Sequence, residues 1–187
     1  MTSNSPYPFA HWMLREIYEQ PATLSATVDQ YVQGGEFQAD ACASALVWLA
    51  GIRSKVVIAA SGSSRHAGLF AELILEDLSG IAVDVEYASE YCYRSEKSLA
   101  DTAVMVISQS GETADTLAAL RKANLAGHAT LAITNVEDST MAREATASLP
   151  TLAGRERAIP ATKSFTAQLL NLYLLALMSA EVRGTID

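Results

Sequence analysis

The chain has 187 residues, half of them hydrophobic and 18% charged, which suits one domain with a sizeable core and is too apolar for a disordered chain. Its formal net charge of −8 lacks the basic footprint that nucleic acid or an anionic membrane needs, so neither is expected as a partner. A small anionic ligand stays open, because backbone N–H groups at a helix N-terminus bind one locally.

Met1 to Ala10 has no basic or apolar leader pattern, so no signal peptide is expected. His11 to Gln20 and Gln38 to Leu49 read as helices separated by a turn at Gly34-Gly35. They form an N-terminal helical extension over residues 1–52, with an α/β domain over 53–187. Cys42 and Cys92 are the only cysteines and form no CxxC pair, while His11, His66 and His128 lie scattered. No metal site and no cofactor are expected, and two isolated cysteines fit a reducing cytoplasm.

The regular part opens with Val56 to Ala60, an apolar run of strand length, turned by Gly62-Ser63-Ser64 into a helix through Leu78. Ala82 to Ala88 alternates, with Val83, Val85 and Tyr87 on one face and Asp84 and Glu86 on the other. Ala103 to Ile107 is a buried run, followed by "SQSGET" and a helix from Ala114 to Ala126. Thr130 to Ile133 is a third buried run, with a helix near Thr140 to Ala145. Leu149 to Leu152 is a short strand carrying Pro150. A loop from Gly154 leads to the last helix, beginning near Lys163.

Strand–helix repetition predicts an α/β fold: a five-stranded parallel sheet with helices on both faces, a three-layer sandwich. The three continuously apolar strands belong at the centre. The alternating strand and the proline-bearing strand belong at the edges. A flavodoxin-like 2-1-3-4-5 order satisfies both. Ligands in such sheets bind beyond the carboxyl ends of the strands, where the order reverses. The turns there are "SGSSRH" (Ser61 to His66) and "SQSGET" (Ser108 to Thr113).

Each turn has two readings. Serine is a preferred N-cap. Two serine-rich helix starts at one switch point instead make a phosphate cradle, with small donors, close backbone approach at Gly62 and Gly111, and orphan N–H groups. Glu112 reads as a first-turn carboxylate favoured by the helix dipole, or as a group that orients a sugar hydroxyl. Arg65 either helps neutralise a phosphate or is solvated. The dinucleotide, P-loop and nucleophile-elbow patterns are absent, so the serines read as ligands and not as nucleophiles. The last helix, Phe165 to Glu181, is apolar nearly all round. One sheet face does not cover such a helix, so a homodimer or a second domain is expected against it. Its length and its Gln168 and Asn171 mark it as a soluble helix and not as a membrane span.

"SGSSRHAG", "SQSGET", "AGRERAIPATKSFTAQL" (Ala153 to Leu169) and "MLREIYEQP" (Met13 to Pro21) together resemble the sugar isomerase (SIS) domain family, in particular the first of the two SIS halves in the isomerase part of glucosamine-6-phosphate synthases. The resemblance runs from Met13 to about Ala180. It implies a phosphosugar-binding domain in which Ser108, Gln109, Ser110 and Thr113 hold the phosphate. Gly62, Ser63 and Ser64 contact phosphate or sugar, and the loop from Ile159 to Thr162 lines the sugar. The chain departs from the family at Ser61 (usually Cys), at Ser63 (usually Thr), at Arg65 (usually aromatic) and at Ile159-Pro160-Ala161-Thr162 (usually Val-Ala-Ser-Thr). By resemblance, the acid–base glutamate, the ring-opening histidine and a C-terminal lysine belong to the second SIS half. No catalytic residue is therefore assigned in residues 1–187. The expected function is the sugar-phosphate-binding half of an aldose–ketose isomerase, amino-sugar deaminase or aminotransferase, working as a homodimer or with a second SIS domain. The alternative is a non-catalytic sugar-phosphate sensor. The N-terminal extension lacks the helix-turn-helix and basic patch of a DNA-binding sensor.

Overall fold

The computed structural model describes residues 5–95 and 102–186; the first four residues of the stretch read above for a leader lie outside them. The expected sheet is present. Strands β3 (Lys55–Ala60), β4 (Ala82–Tyr87), β5 (Thr102–Ser108), β6 (Thr130–Thr134) and β7 (Ala147–Pro150) run parallel in the order β4-β3-β5-β6-β7. The three continuous apolar runs became the central strands because each is covered on both faces. Register levels their carboxyl ends: Ala60 lies beside Ile107, and Ser108 beside Thr134. Both serine-rich turns therefore leave adjacent strands at one lip.

Strand pleat divides the core in two. Val56, Ile58, Met105, Ile107, Leu131 and Ile133 face one layer, which contains α2 (Ala39–Ala50), α3 (Gly62–Ser79) and α7 (Lys163–Arg183). Val57, Ala59, Val104, Val106 and Ala132 face the other, made by α4 (Ala88–Tyr91), α5 (Ala114–Leu125) and α6 (Thr140–Glu144). The first layer also buries Tyr31 of α1 (Trp12–Tyr31), Cys42, Trp48 and Leu49, so the N-terminal helices share the core of the sheet.

Helix α1 is twice the expected length, because Pro21 does not end it. A proline leaves the carbonyl four residues back without its N–H. Here the Gln20 side-chain amide donates to that carbonyl, on Ile17, at 3.0 Å. The Gly34-Gly35 turn is a two-residue hairpin between β1 (Val32–Gln33) and β2 (Glu36–Phe37), with both glycines at positive φ (63° and 88°).

The faces of β4 reverse at its end. Tyr87 is exposed and Glu86 is buried, against the alternation read from sequence. Arg94 makes a two-pronged ion pair with Glu86 (2.6 and 2.9 Å), which satisfies the buried carboxylate, and the Arg65 guanidinium stacks 4.1 Å from the Tyr87 ring centroid. Strand β7 starts and stops two residues earlier than expected, and Pro150 ends it. Helix α7 is the one described helix long and apolar enough, by composition, to cross a membrane, yet 12 of its 21 residues are buried within this fold. It packs on α3, α1 and α2, so most of the cover expected from a partner comes from its own chain. Tyr173 and Val182 stay exposed on it.

Candidate functional site

The first turn starts at Ser61, the extended N-cap residue of α3. Its side chain makes no cap hydrogen bond to the helix. Gly62 follows at φ 56°, with no atom within 4 Å of where a Cβ would stand. Ser63 is exposed. Ser64 is buried and accepts a hydrogen bond from Gln168 Nε2 of α7 at 3.0 Å. With its lone pair engaged, the Ser64 hydroxyl hydrogen is left to donate elsewhere.

The second turn is built on Ser108, which is buried at the end of β5. Its Oγ lies 2.9 Å from Thr113 Oγ1 and accepts the Gly111 N–H at 3.1 Å. Ser110 Oγ accepts the Glu112 N–H at 3.2 Å. Thr113 is the N-cap residue of α5 and likewise makes no side-chain cap bond. By contrast, α1 is capped by His11 Nδ1, which accepts the Leu14 N–H, and α6 by Ser139 Oγ, which accepts the Ala142 N–H. The two serine-rich starts are thus not satisfied by their own cap residues, as a capping role requires.

Gly111 is needed for a steric reason. Its φ is 66°, and a Cβ there would lie 2.1 Å from Ser139 Oγ. The turn lies directly on the N-terminus of α6. Glu112 completes that contact: its carboxylate accepts the Thr140 N–H at 2.7 Å. This backbone bond holds the Glu112 carboxyl below its ordinary value, with Arg143 and Arg121 adding to the effect. By sequence, Glu112 is expected in the first turn of its own helix. It lies ahead of that helix and serves the next one, because the chain folds over at Gly111.

The third part is the stretch 151–162, which has no regular structure after β7. Asn135, just past β6, organises its start. Asn135 Oδ1 accepts from the Thr151 hydroxyl (3.1 Å) and the Ala153 N–H (2.7 Å), and Nδ2 donates to the Gly154 carbonyl (2.7 Å). These bonds bracket Leu152, the one described non-glycine residue at positive φ (56°). Asn135 also donates its own N–H to the Gln109 carbonyl at 3.1 Å, tying this stretch to the second turn. At the far end, Glu156 accepts from the Thr162 N–H (2.9 Å), the Thr162 hydroxyl, the Ser164 N–H and the Ser164 hydroxyl, and so caps α7.

The structure brings Ser108, Gln109, Ser110 and Thr113 together in one turn and sets Gly62, Ser63 and Ser64 on the neighbouring strand end. Thr162 is held by Glu156, and the Ile159 side chain is fully in solvent. The organising roles of Asn135 and Gln168 are not marked in the sequence pattern. The only available signal was a polar residue interrupting an apolar helix or following a buried strand. Arg65 is turned onto Tyr87, and Lys163, nearly fully buried, is paired with Glu19 at 2.8 Å. Burial raises the thiols of both Cys42 and Cys92. Among the described residues, no cluster of His, Cys, Asp and Glu is arranged to hold a metal ion.

A SIS domain family model matches residues 49–178. Isomerizing glutamine–fructose-6-phosphate aminotransferases from Pseudomonas putida and Clostridium tetani are 44% and 41% identical over 180 residues. The match takes in 96% of this chain but only 30% and 29% of theirs. The C-terminal domain of glucosamine-fructose-6-phosphate aminotransferase from Francisella tularensis aligns with a TM-score of 0.92 at 35% identity, over 99% of this chain and 52% of that one. A glucosamine-6-phosphate deaminase from Thermotoga maritima shares the fold, with a TM-score of 0.68 at 24% identity, over 90% of this chain and 49% of that one. With the switch-point turns in place and these relatives alongside, the chain belongs to the SIS domain family and is homologous to the isomerase part of the glucosamine-fructose-6-phosphate aminotransferases.

Proposed function

We propose that this chain is the phosphosugar-binding half of an aldose–ketose sugar-phosphate isomerase, deaminase or aminotransferase of the glucosamine-6-phosphate synthase type. The observation that carries this reading is the pair of serine-rich helix starts, at Ser61 and Thr113, whose cap side chains do not cap. Both helices start just past the carboxyl ends of adjacent strands, at the switch point of the sheet, where first-turn N–H groups favour an anion. Ser110 and Thr113, with the first-turn N–H groups of α5, take the phosphate. Ser63 and Ser64 take phosphate or sugar hydroxyls, and the loop to Thr162 flanks the sugar. Isomerisation needs a base that moves a proton between adjacent carbons. Glu112 is engaged as a cap for α6, so the base comes from a second SIS half or a partner subunit. The exposed Tyr173 of α7 offers a surface for that half. Two unpaired thiols fit a cytoplasmic setting.

Calorimetric titration with fructose 6-phosphate and glucosamine 6-phosphate, with fructose as the unphosphorylated control, tests the reading. Saturable binding of a hexose phosphate, displaced by inorganic phosphate and absent for fructose, is expected. No binding of either hexose phosphate at millimolar concentration overturns it.

A further inference from the structure

We infer that Glu16 is a positioning residue for the sugar-facing loop, acting from helix α1, which precedes the residues that the SIS model matches. The inference rests on the phosphosugar reading. Glu16 lies on α1, 33 positions before the start of the SIS match at residue 49 (49 − 16). It is 1% exposed. Its carboxylate accepts the Arg157 N–H at 2.6 Å and the Ala158 N–H at 3.2 Å. A buried carboxylate is costly unless its oxygens are engaged. Here the donors are two consecutive backbone N–H groups of a stretch with no strand partner, so the carboxylate and the loop satisfy each other.

The neighbouring residues on the same helix face strengthen the hold. Trp12, one turn before Glu16, lies under the Arg157 guanidinium, 4.5 Å from the ring centroid. Glu19, three residues after Glu16, pairs with Lys163 at 2.8 Å and with Arg15 at 2.7 Å. Helix α1 therefore grips the loop at 157–158 and again at 163. Between these holds, Glu156 fixes Thr162. The arc left free is Ile159-Pro160-Ala161, where the sequence departs from the family pattern and where Ile159 stands fully in solvent. The position of Glu16 thus decides how that arc is presented to the sugar, while the phosphate turns make their own bonds, Ser64 with Gln168 and the Gln109 carbonyl with Asn135, which holds the stretch only at its start.

This separation supplies the test. Glu16→Gln removes the charge and leaves one oxygen for two donors. Fructose 6-phosphate affinity is expected to fall about tenfold, the low end of what a charged hydrogen bond contributes. Inorganic phosphate, which needs only the serine-rich turns, is expected to bind as in the parent and serves as the check on folding. Equal losses for both ligands, or no loss for either, overturn the inference. If Glu16→Gln does not fold, Glu16→Asp decides by the same comparison, since it keeps the charge but retracts it. A parent protein that binds inorganic phosphate and no hexose phosphate overturns the phosphosugar reading itself, and this inference with it.

Discussion

The carboxylate of Glu112 accepts the backbone N–H of Thr140 across 2.7 Å, so the acidic residue of the "SQSGET" turn caps the helix that follows the next strand. Its pKa lies below the ordinary 4.5, first because of that bond. A depressed folded value means that the unfolded chain binds more protons between the two values. The contribution to stability is full above 4.5 and is lost as pH falls through the folded value. Glu112→Gln is therefore expected to show a smaller drop in Tm than the parent as pH falls from above 4.5 to below it. Hexose phosphate binding near neutral pH should stay within about twofold of the parent, well short of the tenfold that ~1.4 kcal/mol brings. Thermal melts across pH and calorimetry check both; a large binding loss would return Glu112 to the ligand site.

Ser110 and Thr113 separate a cradle from a cap. Ser110→Ala is expected to weaken hexose phosphate binding by about ten- to a hundredfold, since a hydrogen bond to a charged group contributes roughly 1.5–3 kcal/mol. Thr113→Val should do the same, although it also removes the partner of Ser108 Oγ. Capping predicts the reverse pattern: a stability loss of ~1 kcal/mol with binding unchanged. Calorimetry beside urea melts of each variant distinguishes them.

Gly111→Ala tests the fold-over of the turn. The added Cβ would sit 2.1 Å from Ser139 Oγ and 2.8 Å from Thr134 Oγ1, at φ 66°. Overpacking and a left-handed backbone together should cost roughly 3 kcal/mol. Gly62→Ala has the same sign of φ but meets no atom within 4 Å. It should cost only the backbone part, about 1–2 kcal/mol. Similar urea midpoints for the two variants would contradict the close contact.

Asn135→Ala should unsettle the exit of β7. It leaves the Ala153 N–H and the Gly154 carbonyl without the partners that bracket Leu152 at its positive φ. A loss of roughly 2–3 kcal/mol is expected, the cost of stranding such groups. Asn135→Asp, which keeps Oδ1 as acceptor for Ala153 and Thr151, should recover part of it. Chemical denaturation of both variants checks the order.

The sheet was legible in local pattern. Val56 to Ala60, Ala103 to Ile107 and Thr130 to Ile133 are apolar at every position or nearly so, and such strands are stable only when buried on both faces. Alternation at Ala82 and a proline at Pro150 sent the outer strands to the edges, and the 2-1-3-4-5 order followed. The serine-rich turns were legible for the same local reason: each lies at the end of a strand whose place was already known. The contacts that hold these turns and the loop in place are of another kind. The bonds from Glu16 to Arg157, from Gln168 to Ser64 and from Glu112 to Thr140 connect residues 141, 104 and 28 positions apart. No periodicity records such pairs. A side-chain hydrogen bond of this kind depends on where two elements dock, and docking is set by core packing, which local pattern does not encode. Pro21 makes the same point in reverse: a helix breaker by propensity, it lies inside α1 because the Gln20 side chain meets the carbonyl it frees.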